Sequence, residues 1–162
     1  RRRNLLRQLE RMSYRDQLTQ FGNRYAVDWF VEHEWNGEQI GVVYCDITGL
    51  KKVNDEQGHE AGDRLIIRAC ECLAGVFKGY GLYRIGGDEF LVLCLGIEEK
   101  DLREHVEKLR MDMKEHQVTM AVGMIWKEHG PKDIDLLLNE SERLMYEDKD
   151  RYYKEHGLKR RR

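Results

Sequence analysis

The run Arg84-Ile85-Gly86-Gly87-Asp88-Glu89-Phe90 places two carboxylates directly after two glycines. It sits between a short apolar stretch at 81–85 and a longer one at 90–95. Gly-Gly reads as a tight hairpin turn, because glycine reaches the positive-φ conformations such turns use. A turn without side chains also lets a ligand's phosphates approach the backbone. Carboxylates just beyond it can hold a hard cation such as Mg²⁺, which takes oxygen ligands and keeps substrate phosphates in its shell. The run is therefore a candidate nucleotide–metal turn, with a solvated hairpin as the plain alternative.

A second acidic cluster follows an apolar strand. Ile40-Gly41-Val42-Val43-Tyr44 reads as buried, and Asp46 arrives where that strand should end. Thr48-Gly49-Leu50-Lys51-Lys52-Val53-Asn54-Asp55 comes next, then Gly58-His59 and Gly62-Asp63. Asp63 leads into a helical pattern of Leu65, Ile66, Ala69 and Leu73, where it would equally serve as an ordinary helix cap. An acid closing a strand is less ordinary, since it carries charge to the edge of a sheet where ligands bind.

The elements that must position these acids follow from periodicity. The pattern predicts a strand over 40–45, a helical region over 51–76, and strands over 81–85 and 90–95. A helix over 101–114, a strand over 118–125 and a C-terminal helix from 133 to about 153 complete it. Leu102, Val106, Leu109 and Met113 stand at helical spacing in the 101–114 segment. The order β-α-β-β-α-β is the ferredoxin-like arrangement, an α+β core with a mainly antiparallel sheet flanked by helices. In it the first two strands run parallel and their C-terminal ends share one sheet edge. Asp46 and Asp88, far apart in sequence, are thus expected to meet there as a metal site.

From Asp16 to about Tyr153 the chain resembles a GGDEF domain, the catalytic module of diguanylate cyclases. Gly86-Gly87-Asp88-Glu89-Phe90 matches the signature letter for letter. Asp16-Gln17-Leu18-Thr19 with Asn23-Arg24 resembles the opening segment. Asp46-Ile47, Leu50-Lys51, Asn54-Asp55, Gly58-His59 and Gly62-Asp63 match the central motif. Val118-Thr119 with Gly123 resembles the penultimate strand motif, and Met145-Tyr146 with Lys149 the closing helix. The implied fold is that of nucleotidyl cyclase and polymerase palm domains.

The resemblance implies condensation of two GTP molecules into cyclic di-GMP with release of two pyrophosphates, each 3′-hydroxyl attacking the other nucleotide's α-phosphate. The Asp46 side chain, the Ile47 carbonyl and Asp88 would bind Mg²⁺, or Mn²⁺ in its place. Asn54 and Asp63 would hydrogen-bond guanine, and the backbone around Gly86-Gly87 would make room for phosphates. Glu89 would orient metal or water, or help to take the 3′ proton. Lys149 would meet the terminal phosphates. These roles agree with two-metal phosphoryl transfer, and a carboxylate can accept from guanine donors that adenine lacks. A catalytically weak or inactive GTP-binding regulatory module is the alternative, and a structural dimerisation domain a third reading. The intact Asp46, Asp88, Glu89, Asn54 and Asp63 argue against both.

Departures from the family pattern are as specific as the matches. Thr48 stands where a second acid is common, and Gly49-Leu50 where Phe is common. Tyr153 stands in place of a basic residue one turn after Lys149, leaving Arg151 or Lys154 as substitutes, Arg151 better read as solvated. Many members carry Arg-x-x-Asp shortly before the signature, where it binds cyclic di-GMP. Here those positions are Phe77 and Tyr80, which cannot pair with phosphate or a guanine edge as arginine and aspartate do. The feedback site is expected to be absent.

Composition bounds the setting. A chain of 162 residues with 41% hydrophobic and 36% charged residues is expected to form one globular domain. A net charge of −2 gives no general affinity for nucleic acid, and Arg1-Arg2-Arg3 and Arg160-Arg161-Arg162 read as solvated ends. No apolar run approaches the roughly 20 residues of a membrane span, and no signal peptide is read. The expectation is a cytoplasmic domain without membrane contact of its own, in a parent that could be anchored. Cys45, Cys70, Cys72 and Cys94 lack metal-ligand spacing and read as reduced structural thiols. His59 reads as orienting its loop, and Trp29, Phe30 and Trp35 as helical packing residues.

Residues 1–15 read as a linker or signalling helix, 16–156 as the GGDEF domain and 157–162 as a basic tail. Leu5, Leu9 and Met12 form a short apolar stripe on the first of these. The resemblance implies an N-terminal sensor upstream, and a homodimer in which each copy holds one GTP.

Overall fold

The computed structural model describes residues 1–158, apart from the side chains of residues 6, 7 and 10–12. The basic tail expected over 157–162 therefore lies, from residue 159 onward, outside the described residues, as does the Met12 side chain. The elements are α1 Arg2–Met12, α2 Arg24–His33, β1 Ile40–Ile47, α3 Leu50–Gln57, α4 His59–Val76, β2 Gly81–Arg84, β3 Glu89–Leu95, α5 Glu99–Glu115, β4 Met120–Lys127 and α6 Asp135–Glu155.

The four strands form one sheet in the order β2-β3-β1-β4, with every neighbouring pair antiparallel. β1 and β2 both oppose β3, so they point the same way with β3 between them. This is the ferredoxin-like core that the element order predicts. β1 is buried along its whole length, which is why it reads as a nearly continuous apolar run rather than an alternating one.

Helices cover both faces of the sheet. Val43, Cys45 and Ile47 point from β1 into a core shared with α4 (Leu65, Ala69, Leu73) and α5 (Leu102, Leu109). Ile40, Val42 and Tyr44 point the other way, towards Val27 and Phe30 of α2 and Leu137 and Met145 of α6. Period-two alternation thus sends successive β1 residues into two different cores. All four cysteines are free and buried in the first of these. Burial pushes the thiols of Cys45, Cys70 and Cys94 up to about 12 and that of Cys72 to about 11.

Four local expectations need correction. The helical region at 51–76 is two helices, because Gly58 takes φ +91 and ends α3 before α4 begins. Asp46 lies inside β1, which runs on to Ile47, rather than after it. Trp35 lies beyond the end of α2; its ring packs at Phe30, and its indole N–H donates to the Pro131 carbonyl at 3.0 Å. Gly86 and Gly87 do not use positive φ; that conformation falls instead at Gly49, the N-cap of α3, with φ +81. At the signature turn the glycines matter for the side chains they lack.

Candidate metal and nucleotide site

Asp46 and Glu89 are direct partners in the β1–β3 ladder. Asp88 precedes Glu89 in the turn, and its carbonyl accepts the Ile47 N–H at 2.8 Å, which fastens the turn to the end of β1. Carboxylate oxygens of Asp46, Asp88 and Glu89 all lie within 4.8 Å of one another. Asp46 is only 3% exposed. Its Oδ2 faces Lys149 Nζ at 3.4 Å, while its Oδ1 is buried with no hydrogen-bond partner among the described residues. Burial, then the neighbouring Asp88 charge, push the Asp46 carboxyl up to about 6 against the opposing pull of Lys149.

These observations fit a divalent cation. An orphaned buried carboxylate oxygen is costly, and of the three clustered carboxylates only Asp46 has an ion pair among the described residues, with Lys149. All the donors are hard oxygens, the set that Mg²⁺ or Mn²⁺ takes.

Two packing details bring Lys149 and the turn into place. A Cβ at Gly123 of β4 would collide with the backbone of α6 at Ser141, Leu144 and Met145, so only glycine lets α6 lie this close to the sheet. Ser141 is fully buried at that contact, and Lys149 projects two turns further on. On the other side, Arg84 donates to the Gly87 carbonyl from Nε (3.2 Å) and Nη2 (2.8 Å). Its Nη1 pairs with Asp16 at 3.2 Å. Asp16 also accepts from the Thr19 N–H and hydroxyl. Beside this turn is a cavity of about 370 Å³ lined by Asp16, Arg24, Tyr25, Arg84, Gly86 and Gly87, among others.

A family model described as "Diguanylate cyclase, GGDEF domain" matches residues 13–154. The chain belongs to the GGDEF family. It is 29% identical over 159 residues to the bifunctional diguanylate cyclase/cyclic di-GMP phosphodiesterase MucR of Pseudomonas aeruginosa, covering 89% of this chain and 23% of that protein. It is 28% identical over 152 residues to the diguanylate cyclase DgcP of Escherichia coli, covering 85% of this chain and 45% of that one. Among solved structures it is similar to the coiled coil and GGDEF domain of DgcB from Caulobacter crescentus in complex with c-di-GMP. There the TM-score is 0.76 and the identity 22%, over 96% of this chain and 88% of that one. The chain spans less than half the length of these curated relatives.

Within the GGDEF domain, the residues expected to read guanine converge from two helices. Asn54 lies half-buried on α3, and its Oδ1 occupies the space that a Cβ at Gly62 would need. Asn54 therefore rests against the turn of α4 that carries the exposed Asp63. His59 opens α4 and is exposed. Phe77 and Tyr80, at the expected feedback position, gather instead around the His105 ring at centroid distances of 5.7 and 6.3 Å. Thr48 is half-buried with its N–H bonded to the Thr119 carbonyl, and Leu50 is buried. Arg151 is exposed and pairs with Asp148.

Sequence reading missed Arg84 and Tyr44. Arg84 stands two residues before the signature, and its role depends on Asp16, far away in the chain. The Tyr44 hydroxyl donates to Glu89 Oε2 at 2.7 Å. Burial, then Glu89 and Glu142, raise this phenol well above the ordinary tyrosine range. The available signal was its place two residues before Asp46, which puts both on one face of a strand.

Proposed function

We propose that this domain is a Mg²⁺-dependent diguanylate cyclase, condensing two GTP into cyclic di-GMP and two pyrophosphates. The observation that carries the reading is the trio of buried Asp46 and half-buried Asp88 and Glu89, with the orphaned Asp46 oxygen. Asp46, Asp88 and the Ile47 carbonyl would hold the metal, which when bound supplies charge neutralisation and activation of the attacking oxygen. Asn54 and Asp63 hold the guanine, Asp63 accepting from its N1–H and exocyclic amine. Gly86 and Gly87 leave room for phosphates beside a backbone that Arg84 fixes. Lys149, poised over Asp46, meets the terminal phosphates. Glu89 orients metal or water, or accepts the 3′ proton at its carboxylate. The Asp63 carboxylate would meet an acceptor, N1, in adenine. A mispaired group of that kind costs about 1–3 kcal/mol, so GTP is preferred over ATP.

Each copy binds one GTP, so two copies must face each other for chemistry. Residues 16–156 form the catalytic unit, and α1, with Leu5 and Leu9 exposed, connects it to an N-terminal sensor and aligns the pair. No described helix is long and apolar enough to cross a membrane. The test is purified protein with GTP and Mg²⁺, the products separated by chromatography. Cyclic di-GMP supports the reading. Unreacted GTP from a protein that binds it refutes catalysis and favours the regulatory module.

A further inference from the structure

We propose that Tyr44 is a positioning residue for Glu89, its hydroxyl holding that carboxylate in the orientation in which it joins the metal-binding acids. The inference rests on the cyclase reading and deepens it. In the β1–β3 ladder Asp46 opposes Glu89 and Tyr44 opposes Leu91, all on one sheet face. The phenol therefore reaches diagonally along the ladder to Glu89 Oε2, and 2.7 Å is the length of a strong bond to a carboxylate.

The ring is 5% exposed and packed among Leu91, Leu138 and other residues of the second core, so its direction is set by packing. Glu142 of α6 is a second carboxylate beside the phenol, lining the same cavity of about 240 Å³. The hydroxyl has one proton to give, and the geometry gives it to Glu89. One oxygen of Glu89 is thereby tied back towards the core, and the carboxylate is held in place beside Asp46 and Asp88. Hydrogen-bond partners behind a ligating carboxylate fix its direction, and removing them typically costs 10–100-fold in metal affinity.

The experiment is a Mn²⁺ titration followed by electron paramagnetic resonance, with 3′-deoxy-GTP present, which lacks the attacking hydroxyl. The proteins are wild type, Tyr44→Phe, Glu89→Gln and the double variant. Tyr44→Phe is expected to weaken Mn²⁺ binding roughly 10–100-fold and to have no further effect once Glu89→Gln is present. No weakening, or equal weakening in both backgrounds, overturns the proposal. A wild type that binds no Mn²⁺ overturns the metal reading beneath it, so the two failures are distinct. If Tyr44→Phe does not fold, 3-fluorotyrosine at position 44 alone is followed by fluorine NMR. Its resonance is expected to move on adding Mg²⁺ with 3′-deoxy-GTP to the wild type but not to Glu89→Gln. An unmoved wild-type signal, or one that moves equally in both, overturns the proposal.

Discussion

Asp46 and Glu89 stand directly opposite each other across the β1–β3 ladder, two carboxylates in register on one face of the sheet. Like charges so placed destabilise a sheet, and Lys149 offsets only part of the repulsion. Metal-free protein should therefore be less stable than its core would allow. Asp46→Asn is expected to raise its unfolding free energy by about 1–2 kcal/mol and to remove the stabilisation that Mg²⁺ gives the wild type. Thermal unfolding in EDTA and in Mg²⁺ reads both effects. A metal-free variant less stable than wild type would contradict this account.

The pH dependence follows from the same carboxyl. Its folded value of about 6 lies above the unfolded 3.8 because burial, then Asp88, disfavour the charge. The folded state thus binds the proton more tightly. The contribution is complete below about pH 4 and is lost as pH rises through about 6, on the order of 2–3 kcal/mol. Asp16 acts in the opposite sense: burial raises it, but Thr19 and Arg84 outweigh that and hold it below 3.8. Urea unfolding in EDTA from pH 4 to 7 should give a decline in wild type relative to Asp46→Asn. Parallel curves would rule the assignment out.

Asp88→Ala should abolish cyclic di-GMP synthesis, at least about a hundredfold, while the fold survives. The bond that fastens the turn, Ile47 N–H to the Asp88 carbonyl, is main-chain and outlasts the substitution. Product assay and melting temperature together decide it, and wild-type turnover by a folded variant would remove Asp88 from the metal site.

Arg84→Lys is the sharper probe of the turn. One guanidinium reaches both the Gly87 carbonyl and Asp16, and a lysine cannot fork in that way. Turnover is expected to fall roughly tenfold, with about 1–2 kcal/mol of stability lost because the half-buried Asp16 keeps only Thr19 and loses the forked guanidinium. An unchanged rate would show that the turn holds its shape without this anchor.

Cyclic di-GMP added to the assay should not inhibit through the position of Phe77 and Tyr80. Phe77 is fully buried and Tyr80 turns its ring to His105, and neither side chain offers a guanidinium or carboxylate to a phosphate or a guanine edge. Potent inhibition that vanished in Tyr80→Leu would contradict this.

The sequence determined the element order, the two acidic clusters and their meeting at one sheet edge. Each of these follows from local patterning and from the way a β-α-β-β-α-β chain must return on itself. It placed Asp46 and Asp88 at one spot because strand direction alone puts the ends of β1 and β2 together, while the role of Glu89 entered only through the resemblance to the family. It misjudged the break at Gly58 and the conformation of Gly86-Gly87, since apolar spacing continues across the first and dihedral choice within a turn answers to its surroundings. Only the tertiary structure decided that Asp46 is buried with one oxygen orphaned, that Lys149 reaches it, and that Tyr44 and Arg84 brace the carboxylate and the turn. Those facts depend on how closely α6 lies on Gly123 and how Asp16 folds back on β2. Such contacts join residues tens of positions apart, and no pattern within one segment carries them.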